Sequence, residues 1–193
     1  MRKKCKSLSC PRAPNKLNQK GGEPPTDSEI KGIIQEFSGI KQTVKMGAGV
    51  NGAVYKVQLN NGQKTAYKFV KAGNIDFLWS EMLEIGMLQL ITNTHNGTSY
   101  FPELYDWDFN EGKNILWWGM ELAEIDLNKL IQDEVLEVDM IHKISFQIAR
   151  ALEFLHKHKF AHCDLKPANI GINPNRDHST RLLDLGLMKD TRG

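Results

Sequence analysis

Residues 162–169 read His-Cys-Asp-Leu-Lys-Pro-Ala-Asn, and residues 184–186, which begin 15 positions after Asn169, read Asp-Leu-Gly. The first segment follows a long amphipathic helical pattern, and the second follows the apolar pair Leu182-Leu183. Together they concentrate short carboxylates, a lysine and an amide, which are residue types that orient a nucleophile and hold a metal ion. Such an ordered set is very improbable by chance. These two segments therefore predict the chemical centre of the fold.

The two segments resemble the signature of the eukaryotic protein kinase family, which is H-R-D-L-x-x-x-N followed by D-F-G. Two positions differ, since Cys163 replaces the arginine and Leu185 replaces the phenylalanine. The resemblance extends over residues 40–190 and implies an α+β, protein-kinase-like fold. We therefore expect an N-lobe with a five-stranded antiparallel sheet and one helix, followed by an incomplete, mainly helical C-lobe.

The resemblance also implies roles for the polar side chains of these segments. Asp164 would accept the proton of the substrate hydroxyl, and Lys166 would steady the γ-phosphate of ATP. Asn169 and Asp184 would bind Mg²⁺ through hard oxygen ligands. A lysine two positions after the expected base resembles the serine/threonine class, so we expect phosphate transfer to serine or threonine.

Residues 47–54 fit the glycine-rich pattern G-x-G-x-x-G-x-V, in which missing side chains let backbone amides close over phosphates. A dinucleotide-binding turn shares these glycines, but it must open a helix, whereas residues 54–59 continue as a β-like run. The pattern therefore favours a lid between two strands. The positions of this lid expected to contact the nucleotide are Gly47, Ala48, Gly49, Val50, Asn51, Gly52 and Val54.

Lys68 is central in the strand-like run Ala-Tyr-Lys-Phe of residues 66–69. A lysine in an apolar strand needs an anionic partner, which a phosphate or a helix carboxylate can supply. By the resemblance, Lys68 would hold the α- and β-phosphates, and Ala66 would line the nucleotide site. The helix partner of Lys68 is expected to be Glu84, in the run Glu-Ile-Gly-Met-Leu, or alternatively Glu81.

Residues 118–126, which read Trp-Gly-Met-Glu-Leu-Ala-Glu-Ile-Asp, resemble the hinge between the two lobes of the family. Met120 would occupy the gatekeeper position, and the backbone of Glu121 and Ala123 would bind adenine. Asp126 would reach the ribose hydroxyls, but a helix N-cap is an equally good interpretation of this aspartate.

Local patterns divide the chain into three parts. Residues 1–27 are basic, polar and rich in Pro and Gly, so a disordered tail is expected. Residues 28–121 are expected to form the N-lobe, with a tight hairpin turn at Asn61-Gly62. Residues 122–193 are expected to contain the hinge and a partial C-lobe up to the Asp-Leu-Gly motif. Apolar spacing predicts helices over 75–91 and from Ile141 to about His158, and strands are also predicted over 101–109 and 114–122.

Composition is that of an ordinary globular protein, with 40% hydrophobic and 25% charged residues and a formal net charge of +2. No apolar run approaches the roughly 18 residues of a membrane span. The cysteines Cys5, Cys10 and Cys163 form no disulfide framework, which is typical of a reducing compartment. We therefore expect an intracellular, cytoplasmic protein without a membrane span and without specific nucleic-acid binding.

The resemblance implies ATP and Mg²⁺ as cofactors, with a protein substrate or a partner kinase as the macromolecular partner. The resemblance ends near residue 190, before the activation segment and the later C-lobe helices, so a hetero-complex that covers the incomplete C-lobe is a further expectation. The alternative to an active protein kinase is a truncated decoy or pseudokinase that binds a kinase or its substrate without catalysis. Gly171 falls where relatives often have an apolar residue beneath adenine, which would weaken nucleotide binding unless a neighbour fills the space.

Overall fold

The computed structural model describes residues 24–49, 52–73, 75–94 and 100–192. Five strands form one antiparallel sheet in the order β1-β2-β3-β5-β4. The predicted five-stranded sheet is therefore confirmed. The strands are β1 (Ile40–Gly49), β2 (Gly52–Leu59), β3 (Lys64–Lys71), β4 (Leu104–Asn110) and β5 (Ile115–Glu121).

The predicted hairpin turn joins β2 to β3. Gly62 adopts a φ of 86°, which is the left-handed conformation that glycine reaches without a steric penalty. The Asn61 side chain accepts a hydrogen bond from the Gln63 amide at 2.9 Å, and the Gly62 amide donates to the Leu59 carbonyl at 2.9 Å. This local chemistry sets the register in which Val54 lies opposite Lys68.

Helix α2 (Ile75–Thr92) packs against one face of the sheet and matches the helix predicted over residues 75–91. Ile85, Leu88 and Ile91 are fully buried in a core that also contains Trp118 of β5. Because the same core includes apolar residues from beyond residue 150, it joins the sheet to the second half of the chain.

A second helix of this lobe, α1 (Asp27–Ile34), was not predicted. Its N-terminus carries a capping box, in which Thr26 accepts from the Glu29 amide while the Glu29 carboxylate accepts from the Thr26 amide. Ile30, Ile33 and Ile34 are buried in a second cluster with aromatic residues of β2 and β3. The structure therefore adds a helix to the expected N-lobe. It also assigns Thr26 and Asp27 to α1 and its cap rather than to the tail, whose residues 1–23 lie outside the described part.

The described residues of the second half of the chain form two α-helices, several short strands and two 3₁₀ turns, at Pro167–Asn169 and Pro174–Arg176. A three-stranded sheet has the order β6-β8-β9, and β7 pairs with β10. The two helices agree with the expected helical character, but the short strands were not predicted. These elements are β6 (Ile125–Asp126), α3 (Leu127–Asp133), α4 (Val138–Lys157), β7 (Phe160–Ala161), β8 (Ile170–Asn173), β9 (Ser179–Leu182) and β10 (Lys189–Asp190).

Helix α4 ends at Lys157 with His158 as its C-cap, and the sequence pattern predicted an end near His158. Ile144 and Leu155 are buried, whereas Ile141 is 46% exposed and Phe146 is 63% exposed. One side of α4 therefore packs against β9 and the core, while another side presents apolar groups to solvent. None of the helices formed by the described residues is long and apolar enough to cross a membrane.

Candidate active site

Lys68 extends from the middle of β3 toward two glutamates of α2. Its Nζ atom lies 2.8 Å from Glu84 Oε2 and 3.5 Å from Glu81 Oε2, and both glutamates are buried. The ring of Trp118, which pairs with Lys68 in the β3–β5 register, lies 4.9 Å from the same nitrogen. Of the two glutamates that the sequence analysis left open, Glu84 makes the hydrogen bond, and Glu81 lies at ion-pair distance.

The electrostatics of this cluster follow from burial and from its excess of carboxylates. Burial disfavours the charged form of Lys68, but Glu84, Glu81 and Asp184 outweigh it and raise the pKa of Lys68 above its usual value. Burial raises the pKa of Glu81 to about 7. The positive charge of Lys68 offsets this rise only in part, and the negative charge of Glu84 raises the pKa further. Burial also raises the pKa of Glu84. Lys68 therefore stays protonated, and Glu81 changes from its neutral to its ionised form near neutral pH.

The loop after α4 and β7 is organised by His162. The Asp164 amide donates to His162 Nδ1 at 3.2 Å, so that nitrogen carries no proton. The other ring nitrogen, Nε2, therefore carries the proton and donates to the Leu183 carbonyl at 3.0 Å. His162 thus ties the loop that carries Asp164 to the segment that precedes Asp184.

Asp164 is held by two side chains of its own loop. Asp164 Oδ2 accepts from Lys166 Nζ at 2.7 Å and from Asn169 Nδ2 at 2.8 Å, and Nδ2 also donates to the Asp164 carbonyl at 2.9 Å. The Lys166 ammonium holds the pKa of Asp164 below its usual value, and the Asn169 amide adds to this effect. Asp164 is therefore an ionised carboxylate with a fixed orientation.

Asp184 connects this loop to the lysine of the N-lobe. Its Oδ1 atom accepts from Lys68 Nζ at 3.2 Å, although the two residues are 116 positions apart. Asp184 has a φ of 56° and Cys163 a φ of 62°, a left-handed conformation that is rare for residues other than glycine. Strained backbone of this kind is maintained by the surrounding structure and is concentrated at functional sites.

The donor chemistry around Asn169 and Asp184 fits a hard divalent cation. Because Asn169 Nδ2 donates to Asp164, its side-chain oxygen is the remaining group with which it could bind a metal. The Asp184 side chain is 47% exposed and contacts Lys68 Nζ at 3.2 Å. Leu183 donates its amide to the Asn169 carbonyl at 2.9 Å, which brings the two segments side by side. Among the described residues, no cluster of three or more His, Cys, Asp or Glu side chains has a metal-binding arrangement. A cation here would therefore depend on Asn169, Asp184 and ligand oxygens.

The glycine-rich segment forms the connection between β1 and β2, as the pattern predicted. Gly49 pairs with Gly52 at the end of this hairpin, and Ala48 pairs with Ala53. A Cβ atom on Gly52 would lie 2.3 Å from the Phe69 carbonyl oxygen, so only glycine fits at this position. Gly47, Gly49 and Val54 also lie in the described strands, whereas Val50 and Asn51 lie outside the described residues.

The predicted hinge begins at the end of β5. Met120 pairs with Ala66 of β3, and Ala66 is buried. The Glu121 amide donates to the Glu103 carbonyl at 2.8 Å. Asp126 Oδ1 accepts from the Lys129 amide at 2.9 Å, which makes Asp126 the N-cap of α3. Of its two interpretations, the N-cap is therefore observed, and a ribose contact stays a prediction.

Two arginines that the sequence analysis missed bind the side chain of Glu121. Arg181 of β9 donates from Nε to Oε2 at 2.8 Å and from Nη2 to Oε1 at 3.1 Å, and Arg176 donates to Oε1 at 3.0 Å. The Glu124 amide also donates to Asn173 Oδ1 at 3.0 Å. The only sequence signal was an arginine within the short apolar stretch that precedes Asp184.

The missing side chain at Gly171 is compensated by its neighbours. A Cβ atom there would lie 2.4 Å from Ala123 Cβ and 3.1 Å from a methyl carbon of Leu183. Ala123 and Leu183 therefore occupy the space beside Gly171, which is the alternative in which a neighbour fills the gap, and a contact with adenine at this position stays a prediction.

Known proteins with similar sequences come from several eukaryotes. A protein named probable serine/threonine-protein kinase mps1, from Dictyostelium discoideum, is 31% identical over 148 residues, which are 75% of this chain and 14% of that protein. Serine/threonine-protein kinase MPS1 of Encephalitozoon cuniculi is 30% identical over 163 residues, with 84% of this chain and 25% of that protein covered. Cell division control protein 2 homolog 3 of Trypanosoma brucei brucei is 29% identical over 163 residues, with 82% and 50% covered. The chain thus spans at most half the length of these relatives.

A family model also matches this chain. It is the model of the protein kinase domain, and it covers residues 40–193, which include the sheet, the hinge and both polar segments. This match agrees with the five-stranded sheet, the Lys68–Glu84 ion pair and the fixed orientation of Asp164. The chain therefore belongs to the protein kinase domain family.

Proposed function

We propose that this chain is an ATP- and Mg²⁺-dependent protein kinase that transfers the γ-phosphate of ATP to serine or threonine hydroxyls of a protein substrate. The observation that carries the proposal is the 3.2 Å contact between Lys68 Nζ and Asp184 Oδ1. It brings a phosphate-binding cation of one lobe against a metal-binding carboxylate of the other. Two of the relatives described above carry serine/threonine-protein kinase in their names, which supports the choice of acceptor.

Asp164 is the proposed base. With its pKa held low by Lys166, it stays ionised and accepts a hydrogen bond from the substrate hydroxyl, which orients the oxygen for attack. Lys166, whose side chain is half exposed beside Asp164, would contact the γ-phosphate. Phosphoryl transfer requires mainly positioning and charge stabilisation, and this pair supplies both.

Lys68 is the proposed ligand of the α- and β-phosphates, with Glu84 as its helix partner. Amide groups of the lid, from Gly47 to Gly52, close over the phosphates. Mg²⁺, when bound by Asn169 and Asp184, would offset the charge that develops on the phosphate oxygens. Adenine binds the backbone of Glu121 and Ala123, beside Met120 and Ala66, and the ribose lies near Asp126.

The domain division follows the same proposal. Residues 28–121, together with Thr26 and Asp27 of α1 and its cap, act as the N-lobe, residues 122–193 act as the hinge and partial C-lobe, and the tail has no assigned role. A partner protein would cover the exposed apolar groups of α4, which include Val138 and Phe146. A cytoplasmic location suits the exposed free thiol of Cys163, since such thiols persist in a reducing compartment.

The direct test uses the purified chain with Mg²⁺, radiolabelled ATP and a mixture of serine- and threonine-containing protein substrates. Incorporation on serine or threonine that disappears in Asp164→Asn supports the proposal. A parallel thermal melt with and without MgATP compares wild type with Asp184→Asn, since ligand at about 100 times its Kd stabilises by roughly 2.7 kcal/mol. A folded wild type that neither melts at a higher temperature with MgATP nor incorporates phosphate contradicts the proposal.

A further inference from the structure

Two buried glutamates of α2 face the same lysine. Lys68 Nζ lies 2.8 Å from Glu84 Oε2 and 3.5 Å from Glu81 Oε2, and each glutamate side chain is 2% exposed. Positions three apart on a helix project to nearly the same face, so α2 presents both carboxylates to β3 at once. A single glutamate partner therefore describes only part of the contact that Lys68 makes with this helix.

One carboxylate oxygen of Glu81 is not satisfied by a hydrogen bond to any other described group. This oxygen is the buried Oε2 atom. A buried carboxylate in this state costs stability, and an apolar side chain of similar size would remove the cost. The next turn of α2 contributes the core residues Ile85 and Leu88, which would give such a side chain apolar neighbours. The charge at position 81 therefore points to an interaction with Lys68.

Asp184 is the third carboxylate around this lysine, at 3.2 Å. In the proposed function Asp184 serves the metal ion, so Lys68 needs anchors that do not take part in metal binding. We propose that Glu81 is a second positioning residue for Lys68, which brackets the ammonium together with Glu84 and keeps it directed at the nucleotide phosphates. The phosphate target rests on the proposed function, whereas the ion pair between Glu81 and Lys68 does not.

Two anchors one helical turn apart restrict a side chain that otherwise has four rotatable bonds. With both in place, the ammonium is held before the nucleotide arrives, which lowers the entropy lost on binding. Loss of Glu81 leaves one anchor and a less restricted lysine. Loss of both glutamates leaves the ammonium free to follow Asp184. The rise in the KM for MgATP in the double variant should therefore exceed the product of the rises in the two single variants.

The kinetic test compares wild type, Glu81→Gln, Glu84→Gln and the double variant, all in the full chain. Lys68 binds phosphates that do not react, so weaker positioning affects ground state and transition state alike. We expect Glu81→Gln to raise the KM for MgATP about threefold to tenfold and to leave kcat within about twofold. Glu153→Gln on the exposed part of α4 is the matched control and should leave both constants unchanged.

A second measurement needs no nucleotide. Glu81→Gln is made in wild type and in Lys68→Met, and the melting temperature of all four proteins is recorded. Without Lys68 the Glu81 carboxylate has lost its cation, so Glu81→Gln should raise the melting temperature more in Lys68→Met than in wild type. If Glu81→Gln does not fold, Glu81→Met is used in the same scheme.

The outcomes separate the two proposals. A wild type without MgATP binding contradicts the proposed function, while the melting-temperature cycle still decides whether Glu81 pairs with Lys68. Equal effects of Glu81→Gln in the two backgrounds overturn the inference. The inference is also overturned if Glu81→Gln changes the melting temperature differently in the two backgrounds but leaves the KM for MgATP unchanged, because Glu81 would then have a structural role only. Coupling together with a selective rise in KM supports it.

Discussion

Arg181 of β9 holds Glu121, the last residue of β5, through a pair of hydrogen bonds that joins the two lobes at the hinge. Nε donates to Oε2 at 2.8 Å and Nη2 donates to Oε1 at 3.1 Å, and both side chains are only 11% exposed. A planar guanidinium matches a carboxylate in this two-point arrangement, which fixes orientation as well as distance. Arg181 therefore fixes the orientation of the Glu121 side chain, and the adenine contact proposed for the Glu121 backbone stays a prediction.

Replacement of Arg181 by alanine should destabilise the protein markedly. The change leaves the Glu121 carboxylate largely buried, with the exposed Arg176 as its remaining hydrogen-bond partner among the described residues. Breaking a buried pair by removing one member costs roughly 3 to 5 kcal/mol. Chemical denaturation of the full chain measures the loss. Arg176→Ala is the matched control, because its side chain is 68% exposed and exposed pairs contribute about 1 kcal/mol or less. Equal effects of the two variants would contradict a dominant role for Arg181.

Alanine at Gly52 should be poorly tolerated. The new Cβ atom would meet the Phe69 carbonyl oxygen at 2.3 Å and a Val70 methyl carbon at 2.6 Å. Relief of such overlap costs about 1 to 3 kcal/mol in a packed region. Gly47→Ala serves as the control, since nothing lies within 4 Å of its added Cβ. Thermal melts should show a lower midpoint for Gly52→Ala than for Gly47→Ala, and the reverse order would refute the steric argument.

Truncation of Ile33 should show that α1 is part of the folded N-lobe. Ile33 is 1% exposed in the cluster that α1 shares with Tyr55 and Phe69. Removal of a buried isoleucine side chain costs about 2 to 5 kcal/mol, because it loses apolar burial and leaves a cavity. Ile131→Ala, at a position 48% exposed, should change the unfolding free energy by less than about 1 kcal/mol. An Ile33→Ala protein as stable as wild type would mean that α1 contributes little.

Acid should weaken the attachment of α1 to β3. Glu29 Oε1 accepts from Lys71 Nζ at 2.7 Å, and this bond, with help from Thr26, lowers the pKa of Glu29 to about 2. A carboxylate with a lowered pKa stabilises the fold above its unfolded pKa and loses that contribution as the pH falls through its folded pKa. The difference in melting temperature between wild type and Glu29→Gln should therefore shrink as the pH falls from about 5 to about 2. In a Lys71→Met background that pH dependence should be much reduced, and a difference that stays constant with pH would count against the ion pair.

Local sequence was enough to predict the sheet, α2, α4 and the main polar groups of the site. The turn at Asn61-Gly62 and the lid from Gly47 to Gly52 depend on backbone freedom that only a few residue types provide, so both can be predicted from the sequence. Helix α1 was missed although Thr26 and Glu29 have the spacing of a capping box, because the helix has only eight residues and directly follows a Pro- and Gly-rich segment. The ambiguity between Glu81 and Glu84 also had no local solution, since both lie on one helix face.

The sequence by itself determined which residues could carry the chemistry, because Asp164, Lys166, Asn169 and Asp184 occur in an ordered pattern of chemically suited side chains. Tertiary structure alone decided which carboxylates Lys68 meets, and it brought Arg181 to Glu121 across 60 positions of the chain. It also filled the space beside Gly171 with Ala123 and Leu183. The physical reason is that burial, charge pairing and close contact arise between elements distant along the chain, and their strength depends on the surroundings that packing creates.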